Sequence, residues 1–318
     1  MKILIIRRDN IGDLICTTPL LSALRQHWPQ AWIGVQANNY SAPILDGNPN
    51  VDAVFAYRKA KHRAPGESLL SVWLSTAALM WRLRRMRLDI VLCASPGARR
   101  FARWLCARRI IEADRSGNAH EVEITARLLG ALDIPTAPGP LVLSPDPQQV
   151  ERLRVDLALS AHERRVGIHI SARKPRQRWP EGHFSELIRR LLSEKHADRI
   201  LLFWAPGTED DALHPGDDGK AARLMNELAG LPVTPISTHT LPALVAGLSL
   251  CERVACSDGG AMHIAAGLGK PIVSLFGNSS VERWHPWGVP YVALQKPSED
   301  VADISVDEVL AAFLELPG

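Results

Sequence analysis

The chain opens on four consecutive apolar residues, Ile3, Leu4, Ile5 and Ile6, stopped by Arg7 and Arg8. A short apolar run bounded by charge fits a strand buried on both faces of a parallel sheet, where neither face needs to be polar. The period then changes. Leu14, Thr18, Leu21, Leu24 and Trp28 recur at helical spacing and Pro29 stops the pattern, which predicts one helix over 14–28. Segments 31–37 and 51–57 read as two more strands, and 88–95 as another after a helix. Five prolines within 134–147 exclude a helix there and predict an extended linker. Beyond it the alternation restarts, with strands at 165–170, 199–205, 252–258 and 271–277 and helices at 182–195, 241–250, 262–269 and 306–316. Alternation on both sides of the linker predicts an α/β protein of two Rossmann-like, doubly wound halves, 1–150 and 151–318.

Composition narrows the partners. Apolar residues make up 46% and charged residues 22%, enough for packed cores and against wholesale disorder. With 37 basic and 34 acidic residues the chain is too balanced for a dedicated nucleic-acid binder. The charge is uneven, however: residues 1–150 hold 19 basic against 12 acidic side chains, the remainder 18 against 22. A basic first half is expected to meet something anionic. Five cysteines without a C-x-x-C pair argue against a disulfide framework and a thiolate zinc site, and point to reduced cytosol. No other ligand spacing suggests a metal. The opening apolar run is too short for a secretory signal, and 69–81, with three hydroxyls, is too short to span a bilayer. The expectation is a soluble protein, peripheral to a membrane at most.

Four segments carry candidate chemistry. In 257–277 a strand ends at Ser257, Asp258-Gly259-Gly260 forms a tight turn, and a helix starts near Ala261. Free N–H groups and the positive helix end would there accept phosphate oxygens, with glycines permitting close approach. The plainer alternative makes Asp258 an N-cap and the glycines a turn. His263 follows in the first helical turn, either structural or a donor to the same ligand. In RRDNIGD (7–13), Asp13 is an N-cap on the simpler reading; alternatively it is a general base at the carboxyl end of the first strand, where open α/β sheets bind ligands. Ser171, Arg173, Lys174, Arg176 and Arg178 cluster between a strand and a helix, suited to a diphosphate or simply solvated. A basic region in the first half includes Arg58, Lys59, Lys61 and Arg63, then arginines around Trp81 and Trp104; it is an ordinary surface or an attraction for an anionic acceptor or lipid. Neither G-x-G-x-x-G after the first strand nor a P-loop motif is present, which weakens dehydrogenase and NTPase readings.

KILIIRRDNIGDLICTTPLLSALRQHWP (2–29), RWPEGHF (178–184), and SDGGAMHIAAGLGKPIVSLFG (257–277) followed by NSSVERWHPWG (278–288) together resemble glycosyltransferase family 9, the ADP-heptose:lipopolysaccharide heptosyltransferases. The resemblance spans both halves in order. It implies GT-B architecture, two Rossmann-like domains facing a central cleft, with the acceptor on the first and the nucleotide sugar on the second. It matches Asp13 to the proposed base. Asp258, Gly259, Gly260, Ala261 and His263 match the segment around the diphosphate and sugar, Ser171 a phosphate-binding hydroxyl, and Glu209 the acidic residue holding the ribose. Departures are Gln177 where the family often has Lys, with Arg176 or Arg178 left to supply that charge; Asn278-Ser279-Ser280 where it often has P-T-D; and Gly259 where many members have Thr.

The resulting expectation is an inverting, metal-independent transfer of a sugar, heptose from ADP-heptose being favoured, to an anionic lipid-linked saccharide of the lipopolysaccharide-core type. Arg58, Lys59, Lys61 and Arg63 are the expected acceptor contacts, no cofactor or nucleic acid is called for, and the expected place is the cytoplasm with peripheral contact at the inner membrane. Alternatives are a relative acting on another saccharide or a protein, a non-catalytic nucleotide-sugar module, and a sugar-nucleotide epimerase, which the DNIGD opening fits poorly.

Overall fold

A computed structural model of the chain describes residues 1–57, 68–210, 215–236 and 238–317. The chain divides into two compact units, Met1–Ser144 and Pro145–Gly318. The division falls ahead of residue 150 because the helix at Pro147–Asp156 packs on a helix of the second unit, Leu241–Ser249.

In the first unit the described elements are β1 (Lys2–Ile6), α1 (Ile11–Ile15), α2 (Thr18–His27), β2 (Trp32–Asn38), β3 (Ala53–Tyr57), α3 (Leu69–Arg85), β4 (Ile90–Cys93), α4 (Ala98–Ala102), β5 (Arg109–Glu112) and α5 (Glu121–Gly130). The strands form a parallel sheet in the order β3-β2-β1-β4-β5. Ile3 to Ile6 are wholly buried, as the opening run requires. The winding reverses between β1 and β4, so the chain leaves those two strands in opposite directions and opens a crevice at their carboxyl ends.

Two expectations need correction. The helix predicted over 14–28 is two helices, broken at Cys16 and Thr17. Pro19 has no N–H to continue the ladder, and the Thr18 hydroxyl donates to the Ile15 carbonyl at 2.8 Å instead. The proline-rich stretch is irregular but is no free linker: Leu141 and Leu143 are buried, Val142 N–H donates to Thr18 Oγ1, and Asn48 Nδ2 donates to the Val142 carbonyl.

The second unit holds α6 (Pro147–Asp156), β6 (Arg165–His169), α7 (Glu181–Ser193), β7 (Arg199–Phe203), α8 (Asp218–Glu227), β8 (Val233–Ile236), α9 (Leu241–Ser249), β9 (Arg253–Ser257), α10 (Gly260–Gly267), β10 (Ile272–Phe276), α11 (Val281–Trp284), β11 (Tyr291–Gln295) and α12 (Val306–Glu315). Its parallel sheet runs β11-β10-β9-β6-β7-β8, with the switch point between β6 and β9. Trp179 anchors the core beneath the loop after β6. It is 2% exposed, its ring meets Phe184 edge-on, and its indole N–H donates to the Ile304 carbonyl at 2.9 Å. Gly277 allows that loop to close down: a Cβ there would lie 2.4 Å from the Arg176 carbonyl oxygen.

Candidate active site

At the first switch point the chain leaves β1 through Arg7 and enters the single-turn helix α1. Asn10 is its N-cap; Asp13, expected as the cap, is instead the third helical residue. From there its carboxylate reaches back, Oδ2 accepting from the Asn10 N–H at 3.1 Å and from Asn10 Nδ2 at 3.2 Å. Its other oxygen accepts from Arg7 Nη2 at 2.8 Å. Arg7 is completely buried, and the same Nη2 donates to Glu121 Oε1 at 2.6 Å while Nη1 donates to the Ala94 carbonyl at 2.8 Å. Burial by itself would lower the affinity of this guanidinium for its proton. The carboxylates of Asp13, Glu121 and Asp9 more than offset that and hold its pKa above the ordinary arginine value. Arg115 completes the network, its Nη2 donating to both oxygens of the buried Glu121 and its Nη1 to the Ala94 carbonyl. The ends of β1, β4 and β5 are thus tied together around one carboxylate that keeps 12% of its surface open.

In the second unit, α10 begins at Gly260, one residue before the expected start, and its N-cap is Gly259 rather than Asp258. Gly259 has no side chain with which to cap the helix, so nothing of that kind covers the first-turn amides. Its backbone is extended, and a Cβ built there meets no protein atom within 4 Å. The fold does not demand glycine at this position.

Asp258 is free of capping duty and bonds elsewhere: Oδ2 accepts from Gln177 Nε2 at 3.0 Å and from the Ser279 hydroxyl at 2.6 Å, and Gln177 Nε2 also donates to Ser279 Oγ. Two of the three departures from the family pattern therefore meet on one carboxylate. A neutral amide stands where the family often has a lysine, and the Ser279 hydroxyl stands at the threonine of the P-T-D segment; the aspartate position is Ser280, whose hydroxyl accepts from the Arg283 N–H. Ser171 lies two residues past the His169–Cys256 pairing, as Asp258 does on the neighbouring strand. Its hydroxyl oxygen accepts from the Ala205 N–H at 2.8 Å, which leaves the hydroxyl proton to donate.

Glu209 follows β7 and is steadied by Arg223 Nη2 at 3.2 Å, about half exposed. His263 is buried in α10 with its ring edge-on to Trp284. The two cations expected near the diphosphate contact carbonyl oxygens: Arg178 Nε donates to Ala172 at 3.0 Å, and Arg176 Nη1 to Ser298 at 3.4 Å. The second-unit candidates thus collect at the carboxyl edge of β9, β6 and β7. Arg58, Lys59, Lys61 and Arg63 lie outside the described residues. Among the described residues no group of three or more His, Cys, Asp or Glu side chains is placed to hold a metal ion.

Sequence reasoning missed Arg7, Arg115 and Glu121 as parts of these sites, and flagged Gln177 and Ser279 only as departures from the family pattern, without their contact to Asp258. Arg7 and Glu121 stand 114 positions apart, and only the sheet order brings them together. The one local signal was Glu121 opening α5, a place where an acidic side chain is favoured by the helix dipole.

The family model described as glycosyltransferase family 9 (heptosyltransferase) matches residues 83–310. The chain belongs to glycosyltransferase family 9. It is a glycosyltransferase of GT-B architecture. Among similar family proteins, lipopolysaccharide heptosyltransferase 3 of Escherichia coli is 25% identical over 302 residues, covering 87% of this chain and 83% of that protein. Lipopolysaccharide heptosyltransferase 2 of Salmonella typhimurium is 26% identical over 301 residues, covering 88% and 84%. The glycosyltransferase family 9 structure from Veillonella parvula superposes with a TM-score of 0.81 at 19% identity, covering 99% of this chain and 97% of that one. An Escherichia coli heptosyltransferase solved with ADP gives 0.78 at 21% identity, covering 99% of each. Among the described residues, no helix of this family 9 chain is long and apolar enough to cross a membrane.

His169, which ends β6 two residues before Ser171, gives the stability of this family 9 enzyme a pH signature. Burial, helped by the nearby Lys220 ammonium, pushes its imidazole down to about 4, opposed by the hydrogen bond the ring donates to the Ser171 backbone. The folded state therefore binds fewer protons than the unfolded chain between an ordinary histidine pKa of about 6.5 and about 4. Stability is expected to fall as pH drops through that window, by up to about 3 kcal/mol from this group. Melting curves of the wild type and His169→Gln should diverge in slope between those limits; parallel curves would place the histidine neutral-to-charged cost elsewhere.

Proposed function

We propose that this enzyme is an inverting, metal-independent heptosyltransferase that uses ADP-heptose as donor and an anionic, lipid-linked saccharide of the lipopolysaccharide-core type as acceptor. The observation that carries the reading is the carboxylate of Asp13, immobilised by hydrogen bonds to both oxygens at the carboxyl end of β1. Such a group has no structural need to keep an open face, and a general base does.

The acceptor hydroxyl oxygen attacks the anomeric carbon of the donor sugar from the face opposite the leaving group. A new carbon–oxygen bond forms as the bond to the β-phosphate oxygen breaks, and ADP departs with that electron pair. Asp13 takes the hydroxyl proton. The amides opening α10 at Gly260 and Ala261, the positive end of that helix and the Ser171 hydroxyl receive the diphosphate. Since Gln177 is uncharged, Arg176 or Arg178 swings in to balance the leaving group. Glu209 binds the ribose, and Asp258 and His263 line the sugar. Arg58, Lys59, Lys61 and Arg63 meet the acceptor anions. The enzyme works in the cytoplasm at the face of the inner membrane, where a lipid-linked acceptor is presented. The heptosyltransferase names of the relatives and the ADP in a similar solved structure support the choice of donor.

A thermal-shift panel of ADP-, UDP-, GDP- and CMP-sugars tests this reading. ADP-heptose at about 100 times its Kd should add about 2.7 kcal/mol to the stability of the folded state, with the other nucleotides well behind. Its consumption should require acceptor and be indifferent to a chelator. Selective stabilisation by a UDP- or GDP-sugar would replace the donor, and chelator-sensitive turnover would end metal independence.

A further inference from the structure

Helix α3 turns an apolar stripe to the outside. Val72 and Leu83 face the first unit and are buried, whereas Leu70, Trp73, Leu74 and Trp81 are 60–71% exposed. Ala77 and Ala78 are exposed between them. Positions 70, 73, 74, 77, 78 and 81 repeat at three and four residues, so the stripe occupies one side of the helix. A continuous apolar face with two tryptophans is more than solvent-facing surface ordinarily carries. Beside it runs an open groove of about 640 Å³, whose opposite wall bears Phe101 and Trp104, the latter 70% exposed.

The surroundings are cationic. Residues 82–108 hold eight arginines and a single acid, Asp89. That acid is itself engaged, by the Lys2 N–H and by Arg108. Arg85 lies 4.1 Å from the Trp81 ring centre and Arg84 Nη1 donates to the Trp104 carbonyl, so positive charge is held against the edge of the apolar face.

We propose that α3 is a membrane-docking helix that lies in the plane of a bilayer, with its stripe at the level of the acyl-chain boundary and the neighbouring arginines on the phosphates of anionic phospholipid. Tryptophan prefers that boundary, an amphipathic helix with basic flanks binds there, and each basic residue near an anionic surface adds attraction. A second copy of the chain fits poorly, because a self-complementary contact would set the arginines beside the stripe, Arg84, Arg85 and Arg100, against their own copies. A soluble acidic partner would answer the arginines but not the tryptophan-rich stripe. The proposal deepens the membrane contact in the functional reading above and rests on it for its purpose, which is to hold the enzyme beside a lipid-linked acceptor.

The test uses the full chain with vesicles of phosphatidylcholine alone and of phosphatidylcholine mixed with phosphatidylglycerol. The wild type should co-sediment with the mixed vesicles and not with phosphatidylcholine, its tryptophan emission should shift to shorter wavelength, and binding should weaken with added salt. Trp73→Ser/Leu74→Ser/Trp81→Ser, which changes only exposed positions, should lose on the order of 10²-fold in partition, and Arg84→Gln/Arg85→Gln/Arg100→Gln on the order of tenfold. The stripe variant should still transfer heptose to a delipidated, water-soluble core saccharide. Wild-type binding by the stripe variant, absence of binding by the wild type, or a solution dimer that the stripe variant dissociates would each overturn the docking assignment. Stripe-dependent vesicle binding by a protein that turns over no ADP-sugar would uphold docking and sink the donor reading instead.

Discussion

Asp13→Asn is expected to lower kcat by about 10²–10⁴-fold while leaving the affinity for nucleotide sugar unchanged. Asparagine is the informative replacement because it keeps the shape of the side chain at the third position of α1 and an oxygen for either the Arg7 guanidinium or the Asn10 amide. It removes the capacity to take a proton. Glu121 stays in place as a counter-ion for Arg7, so the variant should fold, and equal donor binding by calorimetry would show that the proposed donor site is untouched. Asp13→Ala should be at least as slow and less stable, since it leaves one contact of a buried arginine unanswered. Near-wild-type turnover by the purified Asn variant, with the same acceptor and donor, would remove Asp13 from the proton transfer.

Arg7→Met is expected to cost about 3–5 kcal/mol of stability, toward the lower end because Glu121 retains Arg115. For a protein region of this size that corresponds to a fall of roughly 6–20 °C in Tm. Methionine fills similar volume, so the loss reports on charge: Glu121 is as completely buried as Arg7, and Asp13 is nearly so. Adding Glu121→Gln to the methionine variant should recover part of the loss, because neutralising the second partner removes an uncompensated buried charge. A double variant that is less stable than Arg7→Met by the full cost of Glu121→Gln alone would mean that the two residues act independently, and the network would then lose its role as the frame of the base. Activity gives a second readout. Freed from Arg7, the Asp13 carboxylate should lose position, and kcat should fall more than the KM for donor changes.

The pattern of the chain carried the architecture because parallel strands buried on both faces have no choice but to be continuously apolar, as Ile3 to Ile6 are. Edge strands were harder. β8 contains Pro235, a residue that suits only an edge, and β11 is largely half-exposed, so neither looks like a buried run. The break between α1 and α2 was hidden because it depends on a hydroxyl at Thr18 taking over the carbonyl that Pro19 cannot serve, while the apolar spacing continues across it.

Among the candidate site residues, Asp13 and the Asp258-Gly259-Gly260 turn could be picked out, since each lies on the short passage from a strand into a helix, Asp13 in the first turn of α1. Their supports could not. Gln177 and Asp258 are 81 positions apart, and an isolated glutamine in a basic loop gives no sign that it will be buried against a carboxylate. Such contacts follow from which strands neighbour one another, information that local periodicity does not contain.

The surroundings of Gly259 have an evolutionary consequence. A residue whose backbone is extended, and whose side chain would project into open space, can be exchanged without any refolding cost. On the proposed placement of the donor, this turn is therefore a place where lineages can try serine, alanine or threonine one codon at a time, altering what the enzyme prefers to transfer while its stability stays where it was.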